Sequence, residues 1–203
     1  MWGSIAAILW CVGYLLLYTS RLPVYQHGRY LMPAMPIFFL FGLLAFAQFD
    51  KSNLFNRYHW IGQTIWRGSI AMLAFGFVFL GARTYAQDVA VIESEMVVTA
   101  KWVAENVSAD ETIAAHDIGA LGYFDTHPLI DLAGLISPEV IPFIRDEVQL
   151  AIFLNESEAD YLIAFPDFYP ELTASAQVDF VTGSPITLAL GEQNMTVYLW
   201  KRP

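Results

Sequence analysis

The chain has 203 residues, 56% of them hydrophobic and only 15% charged, with a mean hydropathy of +0.46; those figures exclude an ordinary soluble domain and place part of the chain in a membrane. The net charge of −10 is divided unevenly: residues 1–87 carry six Lys/Arg against Asp50 alone, a net +5, and residues 88–203 carry four against nineteen Asp/Glu, a net −15. A basic, apolar part followed by an acidic, mixed one is the pattern of a membrane region leading into a water-facing domain, and the acidic part makes nucleic acid a poor partner.

Trp2 to Ser20 holds no charged residue, which predicts one helical span of about 20 residues. Its first charge, Arg21, lies behind the run, whereas a secretory signal carries its positive charge in front and a small-residue cleavage site behind, so the segment reads as retained. Cys11 within it is the only cysteine, which excludes an internal disulfide and suits a small buried apolar side chain. Leu31–Phe49 is a second uncharged run, with Pro33 and Pro36 in its first turns, where a missing N–H costs least. The third, Gly68–Ala82, has only fifteen residues, but the flanking Arg67 and Arg83 can snorkel, and Trp60 and Trp66 beside Gln63 suit an interfacial belt. The expectation is a membrane α-helical region over residues 1–87 with three spans at about 2–20, 31–49 and 65–84. Charge counting barely orients it, since loop 50–67 holds Lys51, Arg57 and Arg67 while loop 21–30 holds Arg21 and Arg29, with Arg83 on the same side. An odd number of spans puts loop 21–30 and the C-terminal part on one face.

Residues 88–203 predict a small α/β domain with a mixed sheet of about five strands and three helices. Val89–Val107 spaces Val91, Ile92, Met96, Val97, Ala100, Val103 and Ala104 by three and four, an amphipathic helix continuing from the third span. Ser108–Asp110 breaks it. Strands follow at Thr112–His116, Leu129–Leu132, Ala159–Phe165, Val178–Thr182 and Met195–Trp200. Helices open at Ser137-Pro138-Glu139 and run over Glu147–Asn155, and Asp117 is placed to cap the turn Ile118–Tyr123.

His27-Gly-Arg-Tyr-Leu-Met-Pro-Ala-Met-Pro36 is a basic, aromatic loop running into a proline-bearing span. It resembles the Arg-Tyr-x-x-Pro-x-x-Pro element late in the membrane region of GT-C glycosyltransferases, the group of protein O-mannosyltransferases and aminoarabinose transferases. The blocks Ala100–Asn106, Ile113–Phe124 and Ile130–Pro138 resemble the C-terminal extracytoplasmic domain of bacterial members. The resemblance implies transfer of a sugar from a polyprenyl-phosphate donor to an extracytoplasmic acceptor, at a multi-pass protein of the plasma (inner) membrane. Such enzymes have around ten or more spans and a catalytic acid in their first extracytoplasmic loop. Asp50, the one acid before Asp88, lies on the other face, so the chain reads as the C-terminal portion of an enzyme, without a catalytic residue of its own and working with a separate N-terminal membrane portion. The alternative is a non-enzymatic membrane-anchored binding domain.

Arg29, with His27 and Tyr30 beside it, has the cationic and hydrogen-bonding chemistry a lipid phosphate requires, and equally that of a headgroup anchor. His116, Asp117, Asp125, His127 and Asp131 are metal-ligand types, but their spacing matches no compact metal motif, and no cofactor is expected. Glycines 119, 122 and 134 form no phosphate-binding pattern and are expected in tight turns. Phe165, Phe168 and Tyr169, with Pro166 and Pro170, are placed either to line a sugar-binding groove or to pack a loop on the core. Asn106, Asn155 and Asn194 head glycosylation sequons.

Overall fold

The computed structural model describes residues 2–21, 29–51 and 59–200, and divides the chain into two compact units, Met1–Phe77 and Val78–Pro203. In the first unit, α1 spans Trp2–Arg21, a 3-10 helix winds Arg29–Ala34, and α2 spans Met35–Lys51. α3, His59–Val91, begins in the first unit and ends in the second. Two helices, Trp2–Arg21 and the continuous helix from Trp60 to Asn106, are long and apolar enough to cross a membrane, whereas Tyr30–Ala45 is a shorter apolar helix. The clear candidates are thus two and not the three expected, although the second apolar run is helical throughout residues 29–51. Pro33 lies inside the 3-10 segment and removes a backbone donor there, while the third run gains length because its helix continues on both sides of Gly68–Ala82.

The predicted amphipathic helix is present and continuous with α3, but a π turn over Ile92–Val97 interrupts it before α4, Val98–Asn106. The five predicted strands are all present: β1 Ile113–Ala115, β2 Leu129–Asp131, β3 Tyr161–Ala164, β4 Gln177–Val181 and β5 Thr196–Leu199. They form one mixed sheet in the order β2-β1-β3-β5-β4, parallel across β2, β1 and β3 and antiparallel from β3 to β5 and β5 to β4. Short helices add to the predicted ones: α5 Leu121–Phe124, α7 Pro170–Ser175 and α8 Pro185–Ala189, beside the 3-10 helix Pro138–Phe143 and α6 Glu147–Glu156. Pro170 and Pro185 occupy first-turn positions, where fixed φ favours a helix start.

Alternation along the strands divides the core into two layers. Ile113, Ala115, Ile163 and Val197 pack with Ala100 and Val103 of α4; Ala114, Leu162, Ala164 and Tyr198 pack with Leu150 and Leu154 of α6 and Leu172 of α7. Burying such side chains stabilises the domain by roughly 1.5–3 kcal/mol each. Of the glycines expected in tight turns, Gly119 lies in the turn before α5, and Gly134 bends the chain after β2 with a φ of +77°, where an added Cβ would lie 2.8 Å from Ile141 Cγ1. Gly119 has open space around it, and a Cβ on Gly122 would meet only Leu129, at 3.9 Å.

Candidate functional site

In the first unit, residues four apart on α1 fall on one face, and Trp10, Tyr14 and Tyr18 stack there with ring centroids 5.2 and 5.1 Å apart. The row continues onto Tyr30, whose ring lies 5.6 Å from that of Tyr18. Tyr14 Oη donates to the Tyr30 carbonyl at 2.7 Å, and buried Cys11 places its Sγ 3.8 Å from the Ala34 carbonyl. The structure thus fixes the Arg29–Ala34 turn against α1 and leaves Tyr30 38% exposed. Arg29 is the first residue of that turn. His27 lies outside the described residues.

In the second unit the sheet has its own site-forming edge. The chain goes from β1 to β2 on one side and then to β3 on the other, so the carboxyl ends of β1 and β3 flank a topological switch point, where open α/β sheets bind ligands. His116 and Asp117 follow β1; Phe168 and Tyr169 follow β3. His116 Nδ1 and Tyr169 Oη lie 2.7 Å apart, and the Phe168 ring meets the imidazole edge-on at 5.3 Å. Burial, then Asp117, Asp131 and Glu147, push the Tyr169 phenol well above its ordinary range. Burial also raises Asp117 above the usual carboxylate range, His116 opposes it, and Asp131 adds to it.

The neighbouring acids are occupied. Asp131 is fully buried and accepts from the amides of Ala133 (2.8 Å), Ile136 (2.9 Å) and Leu135, while its own N–H donates to Ser137 Oγ at 3.1 Å. Glu147 accepts from the amides of Glu171 and Leu172, both at 2.8 Å, at the start of α7. Asp117 receives no hydrogen bond from a described residue, and the expected cap is absent: α5 begins after Ala120 with no side-chain cap. The strand end is what places Asp117, not a helix start.

The five metal-type residues divide accordingly. His127 is buried, with Nδ1 2.6 Å from Asp125 Oδ1 and Nε2 2.8 Å from the Ser108 carbonyl, so that pair ties two turns at the opposite edge. Among the described residues no three His, Cys, Asp or Glu come together as a metal site would need. Phe165 and Phe168 line a groove of 210 Å³ with Asp167, Gly191, Glu192 and Gln193; Tyr169 is buried beside His116 instead. That volume is below the roughly 300 Å³ at which small-molecule pockets begin, so the groove is a surface furrow. The sequon asparagines serve the fold: Asn106 Nδ2 donates to the Trp102 carbonyl, Asn155 Oδ1 accepts from Trp200 Nε1, and Asn194 Nδ2 donates to Glu95.

Glu95 is a residue that the sequence pattern alone does not single out. It lies in the π turn, fully buried, and accepts from the hydroxyls of Thr182 and Thr187, from Asn194 Nδ2 at 2.8 Å and from the Met195 amide at 2.8 Å. The signal that could find it is an acid and a threonine, Glu95 and Thr99, four apart on the buried stripe of an amphipathic helix.

Residues 83–198 match a family described as a domain of unknown function, DUF8728. The chain belongs to this family. The matched region begins at Arg83 in α3 and takes in the sheet up to Tyr198 of β5, with His116, Asp117 and Tyr169 inside it. No curated protein and no solved structure matches the chain.

Proposed function

We propose that this chain is a membrane part of a GT-C-type glycosyltransferase that transfers a sugar from a polyprenyl-phosphate donor to an extracytoplasmic acceptor, and that Arg29, Tyr30 and His27 meet the donor phosphate. The observation that carries the reading is the aromatic row Trp10, Tyr14, Tyr18 and Tyr30, which leads along an apolar helix to Arg29. A row of rings suits an unsaturated hydrocarbon chain, and an arginine next in sequence to the last ring supplies the residue type that suits a phosphate as negative charge builds on the leaving group. In this reading all three apolar runs span the plasma (inner) membrane, the second through the 3-10 turn and α2 together, residues 29–51. The catalytic acid belongs to a separate N-terminal membrane portion.

The second reading is a membrane-anchored binding domain. It is favoured by the switch-point cluster, where Asp117 is the acid with no hydrogen bond from a described residue.

Binding of an isotope-labelled polyprenyl phosphate to the full chain in phosphatidylcholine vesicles tests the first reading. Arg29→Ala is expected to weaken binding about ten- to a hundredfold, the worth of one charge-assisted hydrogen bond, and Arg29→Lys less. Equal binding by the native chain and Arg29→Ala would remove the donor role from this loop.

A further inference from the structure

We propose that the loops at the carboxyl edge of the sheet form an apolar rim seated in the lipid headgroup zone beside the helix that carries the chain out of the bilayer. The inference rests on the reading of the Trp60–Asn106 helix as a membrane span, and goes beyond it by assigning a lipid contact to the water-facing domain.

The direction of the chain within residues 78–203 is the first argument. Glu95 is bonded to the amide of Met195, just before β5, and to the hydroxyl of Thr182, just after β4. β5 runs antiparallel to β3, with Thr196 opposite Ala164, so Glu95 is pinned to the edge where β1, β2 and β3 end. α5, which follows β1, packs against the same π turn. Asn106 ends α4, and a short turn leads from it to β1, so the end of α4 lies at the other edge. The carboxyl edge therefore looks back along the helix toward Val78 and its apolar neighbours, and the amino edge looks away.

The second argument is the contrast between the two edges. Two uncharged stretches, 132–138 and 185–191, lie on the carboxyl edge, whose other loops carry Asp167 and Glu192; the uncharged 118–124 leads away from that edge along α5 to Asp125. The two stretches leave Leu135 80% and Leu188 59% exposed. Ile136 and Ile141 are exposed beside Leu135, and the amide nest around Asp131 holds Leu135 and Ile136 outward on a fixed turn. The turns at the amino edge carry Asp110, Glu111, Asp125, Glu156, Glu158 and Asp160, and none of their described residues is an exposed large hydrophobic. Apolar side chains gathered on one edge need a cover, and the bilayer surface is what that edge faces.

From Arg83 to Glu95 the helix rises about 18 Å, so the rim reaches the headgroups only if this segment leaves the bilayer obliquely. Tyr85, Val89 and Ile92, exposed at helical spacing, give it the apolar face that an oblique course through the interface requires. The contact is apolar rather than electrostatic, because the domain around it is acidic, so zwitterionic lipid suffices.

The test uses the full chain in phosphatidylcholine vesicles, in a Cys11→Ser background, with nitroxide labels at Leu135→Cys, Leu188→Cys, Asp110→Cys and Val78→Cys. Accessibility to oxygen and to a water-soluble nickel complex is read at each site. The expected result is a several-fold higher oxygen-to-nickel ratio at 135 and 188 than at 110, approaching that at 78, and unchanged by added salt. A water-like ratio at 135 and 188 with a lipid-like one at 78 overturns the rim and leaves the span intact. Low accessibility to both reagents at 135 and 188 overturns it in favour of a protein cover. A water-like ratio at 78 removes the membrane reading on which the inference stands.

Discussion

Asp117 is held in an environment that favours its neutral form, chiefly by burial. A carboxyl whose folded-state pKa is raised binds its proton more tightly in the native state, so its contribution to stability is complete below the unfolded value near 3.8 and is lost as pH rises through the folded value. Asp117→Asn removes that loss. Urea unfolding of the full chain in detergent is expected to show the asparagine variant more stable at pH 7, with the gap closing toward pH 4. A gap that stays constant across that range would mean that Asp117 is charged at no cost to the fold. Single residues of this sort are the least legible in the sequence. The chain order His116-Asp117 suggests a cap because acids precede helices often, but the end of a buried strand overrides the local signal. Asp131 reads correctly as a strand-end acid, while its capture of three amides depends on how the loop closes over Gly134.

At the scale of elements, periodicity is informative wherever a face is buried. The long helix is where three-to-four spacing puts it, and β1, β3 and β5, which present one face to α4 and the other to α6 or α7, are marked by short apolar runs bounded by turn residues. The short helices α7 and α8 give no periodic signal, and only Pro170 and Pro185 mark them. Glu95 joins elements rather than belonging to one: it ties the π turn to α8 and to the hairpin of β4 and β5 through four donors. Glu95→Ala leaves Thr182, Thr187, Asn194 and the Met195 amide without their acceptor and is expected to cost roughly 3 kcal/mol or more, since each buried donor left unsatisfied costs roughly 1–3 kcal/mol. Chemical denaturation measures the loss. Hydrogen exchange locates it, with the amides of β5 and α8 exchanging faster before those of β1 and β2 do. A loss under about 1 kcal/mol, the worth of a single ordinary hydrogen bond, would show that the hairpin holds the helix by packing alone.

Across the whole molecule, the split between a +5 part and a −15 part is plain from the order of charges along the chain. What composition does not reveal is that the second run opens in a 3-10 turn before α2, because that depends on where helices begin and not on the charges that bound them. Orientation is tested on intact cells with a membrane-impermeant thiol reagent and single cysteines at 52–58 or at 155–158 in a Cys11→Ser background. Labelling at 155–158 alone is expected, since the donor loop and the acidic domain then share the outer face. Labelling at 52–58 alone would put the sheet domain in the cytoplasm and end the glycosyltransferase reading.

The π turn at Ile92–Val97 also sets an angular phase. An α-helix advances about 100° per residue, and a π turn takes up one residue more than an α turn would, so the faces presented before and after it are offset by about one such step. Deleting a single residue between 92 and 97 would restore α geometry and leave the faces of residues 78–91 as they are relative to α4 and the sheet, whereas inserting one more would turn them by about 100°. Inserting four residues, one turn and a little more, would leave the phase within about 40° of where it began. Evolutionary change in this segment is therefore expected to be discrete in its effects, with loss of the one extra residue and insertions near a whole turn tolerated and single-residue insertions not.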